Sequence, residues 1–361
     1  MIKAFLSIGA FMSFGMSMAQ KSISEPTGIL NGHTNDVIQV VPNAKFTQYA
    51  SSSWDKTIAV YDSSLNLIRN LSAHTLPVTA IAWRPDGNML VSASADKTIV
   101  LWDSVWNKSK VFEGHVAQVN ALLCDRSNKY IFSGGEDRMI MAWDIASGKN
   151  FRKIDNGQAV NALAQSNDSR LLYVAGNSPQ IKIYNLTTST VSKTLDGHSD
   201  VINALAVSNN NQYLLSGSND KTARLWDLKS GMQLRVLPVD CWKVTAVAFS
   251  MDSKYAVTGC NDGSIKVWEV TTGKLLATID GKGQYVKDLC FTKNNTQVLS
   301  AAMLKGSTDY GVRVWSTGIE PAKLMALSPK VDSVATQTID TMQKVPAAKP
   351  QLPAGKQLPK R

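Results

Sequence analysis

The sequence predicts an all-β protein made of seven consecutive units, each of four short antiparallel strands. Two observations carry this. An aromatic residue closes a recurring segment at Tyr61, Trp102, Trp143, Tyr184, Trp226, Trp268 and Trp315, at spacings of 41, 41, 41, 42, 42 and 47 residues. A period of that size is the mark of a repeat architecture. The segments also share chemistry: Ser92-Ala-Ser-Ala-Asp96-Lys-Thr-Ile-Val-Leu-Trp102-Asp103 matches Ser216-Gly-Ser-Asn-Asp220-Lys-Thr-Ala-Arg-Leu-Trp226-Asp227, with further copies at 51–62, 133–144 and 258–269. Together the units span residues 26–316.

Ahead of the repeats, Met1-Ile2-Lys3 gives a positive start and Ala4 to Met18 is small, apolar and uncharged. Ser17-Met18-Ala19 before Gln20 completes the layout of a secretory signal peptide cut after Ala19. A membrane anchor is the competing reading, but the stretch is shorter and more serine-rich than the roughly 20 apolar residues a span needs. No second such run follows, so the mature chain is expected in the periplasm or secreted, without a transmembrane span.

Within a unit the pattern alternates between short apolar runs and turn-forming clusters. In the fifth, Val201–Val207, Tyr213–Ser216, Ala223–Trp226 and Leu234–Leu237 read as strands, separated by polar segments such as 208–212 and 227–231. The Gly-His pairs, the Asp in a tight turn and the closing Trp-Asp resemble the WD-repeat (WD40) family, as an exported bacterial member. That resemblance implies a seven-bladed β-propeller of four-stranded antiparallel blades around a central channel. It also implies how the ring closes. No outer strand follows Trp315, and a spare apolar piece, Gly28-Ile29-Leu30, precedes Gly32-His33. This N-terminal strand is expected to complete blade seven and so remove an open sheet edge.

The resemblance further implies a hydrogen-bonded group of His, Ser or Thr, Asp and an aromatic in each blade. Blade one offers His33, Ser51, Asp55 and Tyr61, and blade two His74, Ser92, Asp96 and Trp102. Blade three offers His115, Ser133, Asp137 and Trp143, and blade five His198, Ser216, Asp220 and Trp226. Blade six keeps Thr258, Asp262 and Trp268 with Asp240 in the His place; blade seven keeps Asp309 and Trp315 with Lys282 there. Blade four has Asn156, Val174, Ser178 and Tyr184 instead. A buried carboxylate needs donors, and an imidazole N–H is one.

All 4 histidines are thereby committed to structure, which leaves none for a metal site or general base. The chain has no Walker loop, zinc-type cysteine spacing or nucleophile elbow. The expectation is a non-enzyme without cofactors. Of the 4 cysteines, Cys124 and Cys290 fall in strand patterns. Cys241 and Cys260 share one repeat; two buried thiols is the favoured reading and a disulfide the alternative. The net charge is +10, of which residues 21–316 contribute +5 and residues 317–361 +4. The propeller's charges are interspersed, with no basic stripe to follow a nucleic acid.

Partner binding in the resembled family uses the face that bears the inter-blade loops and the turns carrying the Asp residues. Large aromatics there concentrate in neighbouring blades: Trp54 in one, Trp242 in six, Tyr285 in seven. Exposed Trp and Tyr anchor interfaces. With Asn35, Asp36, Leu76 and Lys243 they form the expected partner patch, although Trp242 and Tyr285 also read as local packing. The tail, residues 317–361, holds 6 prolines and no aromatics and reads as a disordered basic segment. The expected function is an exported protein-interaction scaffold in a cell-envelope assembly. A glycan or peptidoglycan binder is the alternative. A propeller enzyme is a third reading, which a polar, metal-bearing channel would favour and a channel of small apolar residues would not.

Overall fold

In the computed structural model, which describes residues 21–303 and 309–320, the repeats form seven antiparallel four-stranded blades. The inner strands are Val37–Pro42, Val78–Trp83, Val119–Cys124, Val160–Gln165, Ile202–Val207, Val244–Phe249 and Tyr285–Phe291. Each packs beside the next, and the last packs beside the first, so the ring is closed. In the fifth blade the strands run Ile202–Val207, Tyr213–Ser218, Thr222–Asp227 and Gln233–Pro238, within two residues of their expected bounds.

The burial pattern explains why these segments are strands. Second and third strands are buried on both faces, as in Leu90–Ser94 and Ile99–Trp102, because each blade is sandwiched between two others. The core is therefore seven inter-blade layers rather than one centre. Ile58, Val60 and Leu71 of blade one meet Ile81, Trp83 and Trp102 of blade two. At the ring's seam, Leu299, Val312 and Val314 of blade seven meet Val37, Val40 and Tyr61 of blade one. Outer strands such as Leu67–Ser72 are mostly exposed. Burying apolar surface is worth roughly 25 cal/mol per Å2, and here each layer forms only when its neighbour is in place.

The Gly-His pair has a packing cause. A Cβ on Gly114 or Gly197 would lie 3.0 Å from the indole of Trp143 or Trp226. A residue without a side chain lets the loop cross that ring closely, and blade two accommodates the small Ala73 at the same position.

Closure follows the expected route. Gly28–Leu30 pairs antiparallel with Val312–Ser316, in register Gly28↔Val314 and Leu30↔Val312. Blade six departs from four strands: Lys21–Ile23 adds a fifth, parallel to Leu275–Asp280. The segment leading into the closing strand passes that blade's rim, where unpaired backbone groups accept a partner. At the other end, Thr317 is fully buried and bonded to Asn295 and Thr296, so the propeller continues past residue 316. The expected signal segment 1–19 and the tail from 321 onward lie outside the described residues. No helix among the described residues is long and apolar enough to cross a membrane.

One expectation is corrected. Cys241 and Cys260 form a disulfide and are not two thiols. Cys260 ends the second strand of blade six, paired with Val244 just after the loop that carries Cys241, and this brings the two Cα atoms to 6.2 Å, within bridging range. Cys124 and Cys290 remain free thiols.

Candidate functional site

Each complete histidine group is a directed chain of hydrogen bonds. In blade five the Trp226 indole N–H donates to Ser216 Oγ at 2.9 Å, and Ser216 Oγ lies 2.7 Å from His198 Nε2. His198 Nδ1 lies 2.7 Å from Asp220 Oδ2. With the proton on Nδ1, every bond has one donor and one acceptor. Asp220 also accepts from the Thr222 hydroxyl at 2.6 Å and from the Ser199 N–H at 3.1 Å. Blades two and three repeat this through His74, Ser92, Asp96 and Trp102, and His115, Ser133, Asp137 and Trp143. Blade one uses His33, Ser51 and Asp55 with the Tyr61 hydroxyl 3.3 Å from Ser51 Oγ.

The electrostatics agree with a structural role. Burial pushes His74, His115 and His198 below the usual histidine range, against the pull of their carboxylates. Burial acts to raise the Asp55, Asp96, Asp137 and Asp220 carboxyls, but the hydrogen bonds they accept overcome it and hold all four low.

The incomplete blades use other devices. In blade six Trp268 donates to Thr258 at 3.0 Å, and Lys266 pairs with Asp240 at 2.6 Å. In blade four the Tyr184 hydroxyl bonds Asn156 Oδ1 at 3.0 Å and Lys182 Nζ bonds Asn156 O at 2.5 Å. Asp262 caps its own turn through Ser264, and Asp309 pairs with Arg313 at 3.3 Å, so neither belongs to an imidazole-centred group. In blade seven Trp315 donates to Ser300 at 2.9 Å. The sequence reading missed Ser300, although it lies 18 residues after Lys282, the separation of His198 from Ser216. The long final spacing, which counts back from Trp315, hid it.

The central channel opens on the loop-bearing face into a cavity of about 540 Å3. Trp54 and Tyr285 both line it; Trp54 is 48% exposed and Tyr285 half-buried. Asn35 and Asp36 sit in the loop beside them, with Asp36 O accepting the Trp54 N–H at 2.9 Å and Asn35 O accepting the Ser53 hydroxyl at 3.1 Å. Trp242, 70% exposed, lies away from the cavity lining, with Lys221 Nζ 4.5 Å from its ring centroid. Lys243 is exposed and tied through its backbone to Asn261; Leu76 is exposed at the rim of blade two. The structure therefore gathers Trp54, Tyr285, Asn35 and Asp36, and leaves Trp242, Lys243 and Leu76 outside the cavity.

The cavity wall mixes small apolar residues, such as Ala80, Ala121, Ala162 and Ala204, with polar side chains that sequence reading did not anticipate. Gln39, Asn120, Asn161, Asn203, Lys287 and Asp288 line it. Lys287 Nζ sits 4.7 Å from the Tyr285 ring centroid. Burial lowers its pKa, and Asp36 opposes this. Burial also pushes the Asp288 carboxyl up to about 7, although it accepts the Val40 N–H at 3.1 Å. Gln39 accepts the Ile81 N–H at 2.7 Å, so Asp288 and Gln39 tie blade seven to one and one to two. Elsewhere Thr79, Asn161, Asn203 and Thr245 bond the next blade's inner-strand carbonyl. The missed residues interrupt an apolar strand with polar side chains, and that interruption was the available signal. Among the described residues no three His, Cys, Asp or Glu side chains converge as a metal site.

A family model described as WD domain, G-beta repeat matches residues 24–62, 65–103, 106–144, 189–227, 231–269 and 273–316. The unmatched stretch, 145–188, contains the first three strands of blade four, the blade whose His, Ser and Asp positions hold Asn156, Val174 and Ser178. No curated protein matches the chain.

Proposed function

Starting from the fact that the chain belongs to the WD40 repeat family, we propose that it is an exported, non-catalytic scaffold that binds protein partners in a cell-envelope assembly. One observation carries the reading: the channel mouth presents Trp54, nearly half exposed, beside Tyr285 and a partly polar wall that bears the Lys287 cation. Large aromatics over a concave site are what anchor a partner. The imidazoles, which a hydrolytic reading would need, are spent between indole or phenol and carboxylate in their own blades. The Cys241–Cys260 disulfide supports export, because such bonds persist in oxidising compartments.

A glycan partner is less well supported. Lys287 covers one face of Tyr285, and Lys221 one face of Trp242. A covered face is lost to a stacking sugar ring, and of the three aromatics only Trp54 carries no such cation. Crosslinking in the native envelope followed by mass spectrometry tests the proposal. The wild-type chain is expected to capture defined proteins that Trp54→Ala with Tyr285→Ala loses. A folded double variant that keeps every partner would overturn it, and so would capture of glycan alone.

A further inference from the structure

The cavity at the channel mouth has features beyond exposed aromatics, and they specify what enters it. We propose that the upper channel takes an acidic peptide segment of a protein partner, with a carboxylate seated on Lys287. This deepens the scaffold reading and rests on it.

Size limits the ligand first. About 540 Å3 holds a few residues of an extended segment, not a folded surface. Charge comes next. Lys287 and Asp288 are the charged groups among the described lining residues. Asp288 is engaged with the Val40 N–H of the neighbouring blade, whereas the Lys287 ammonium lies over the Tyr285 ring at the cavity wall. The cation–π contact positions the ammonium without neutralising it. Asp36, at the mouth, is the carboxylate that acts on Lys287 in the isolated chain, and a partner carboxylate would share that role. Taking a half-desolvated cation a full counter-charge is the stronger form of hydrogen bond.

The amides select a polypeptide. Asn161 and Asn203 spend their Nδ2 donors within the ring, on Asn177 Oδ1 and Ile202 O, and on Asn219 Oδ1 and Val244 O. Their side-chain oxygens can accept from the backbone N–H groups of a bound segment. Trp54 then closes over the apolar stems of its side chains. Two lysines already occupy aromatic faces that sugar stacking would use, so a uronic-acid glycan is the outcome the test must separate.

The test uses the full chain and a short fluorescent peptide rich in glutamate, read by anisotropy against its glutamine counterpart. The glutamate peptide is expected to bind at least about tenfold more tightly, a difference salt reduces. Lys287→Met should bring the two peptides to equal affinity, and Lys287→Arg should restore the preference. In the wild type, the glutamate peptide should protect Lys287 from an amine-reactive label, a readout that needs no variant to fold. Absence of saturable binding, equal affinity for both peptides, or unprotected Lys287 would each overturn the proposal. Tighter binding of an oligogalacturonate would overturn the peptide assignment. If Lys287→Met still captures the wild-type partners in crosslinking, the channel inference fails while the scaffold reading stands.

Discussion

Lys266 reaches from the third strand of blade six to Asp240, with Nζ 2.6 Å from the carboxylate, at the place that His198 holds in blade five. Lys182 does the same in blade four, bonding the carbonyl of Asn156, the residue in that blade's His place. In blades four and six, where the imidazole is missing, a lysine from the third strand ties down the inter-blade loop. The two devices differ in strength because the side chain of Asp240 is 82% exposed, whereas that of His198 is wholly buried.

His198→Ala is therefore expected to cost about 2–4 kcal/mol, since it leaves Asp220 and Ser216 short of partners in a buried site. Asp240→Ala should cost less than His198→Ala, because water reaches the carboxylate end of the pair while Lys266 stays 9% exposed. Denaturant titration of both variants checks the order. An equal loss would show that the groups are not graded by burial.

The disulfide stands where other blades use a serine. Ser53, Ser94 and Ser218 end their second strands and bond the loop carbonyls of Asn35, Leu76 and Asp200; Cys260 takes that position in blade six. Cys241→Ala with Cys260→Ser should fold and lose about 2–4 kcal/mol, the usual contribution of such a bridge. A reducing agent should lower the melting temperature of the wild type and leave the double variant unchanged. A wild-type melt insensitive to reduction would contradict the bond's role.

Ring closure depends on Gly28–Leu30. Deleting residues 20–31 exposes the Val312–Ser316 edge and opens part of the seam layer around Leu30. The melting temperature should fall by about 5 °C or more, with increased aggregation. Deleting residues 20–24 removes only the accessory strand on blade six and should cost much less. Calorimetry on the two truncations distinguishes them, and equal melts would mean the closing strand adds nothing.

The pH response combines two opposite signs. His74, His115 and His198 have folded pKa values below the ordinary one. Their contribution is complete above pH ~6.5 and is lost as the pH falls below it, where Nε2 must take a proton facing a serine hydroxyl. Asp288 is raised to about 7, so the folded chain holds that proton more tightly than the unfolded chain. Its contribution grows as pH falls from about 7 toward about 4. Asp288→Asn should melt higher than the wild type at pH 8, converge with it near pH 4, and fall more steeply between. Parallel pH–melting curves for the two proteins would refute the assignment.

Most of the architecture was legible because the constraint repeats. The Gly-His pair, the turn Asp and the closing aromatic recur at fixed separations, so each blade checks the others, as His198 and Asp220 check His74 and Asp96. Legibility failed where a blade departs from the pattern. Ser300 was hidden by the long spacing before Trp315, and Lys182 and Lys266 read as ordinary strand residues. The channel wall was missed for another reason. Lys287, Asp288 and Gln39 lie on inner strands whose neighbours are not their sequence neighbours, and only the ring sets them around one space.

By itself, then, the sequence determined the number of repeats and the strands within each, because these follow from local periodicity; the closing strand and the use of each histidine were implied by the resemblance to the WD-repeat family. Tertiary structure alone decided that Cys241 and Cys260 are bonded, that Trp54 and Tyr285 share a cavity while Trp242 does not, and that Lys287 and Asp288 charge its wall. These are distances between blades, set by closing the ring, and no repeat contains them.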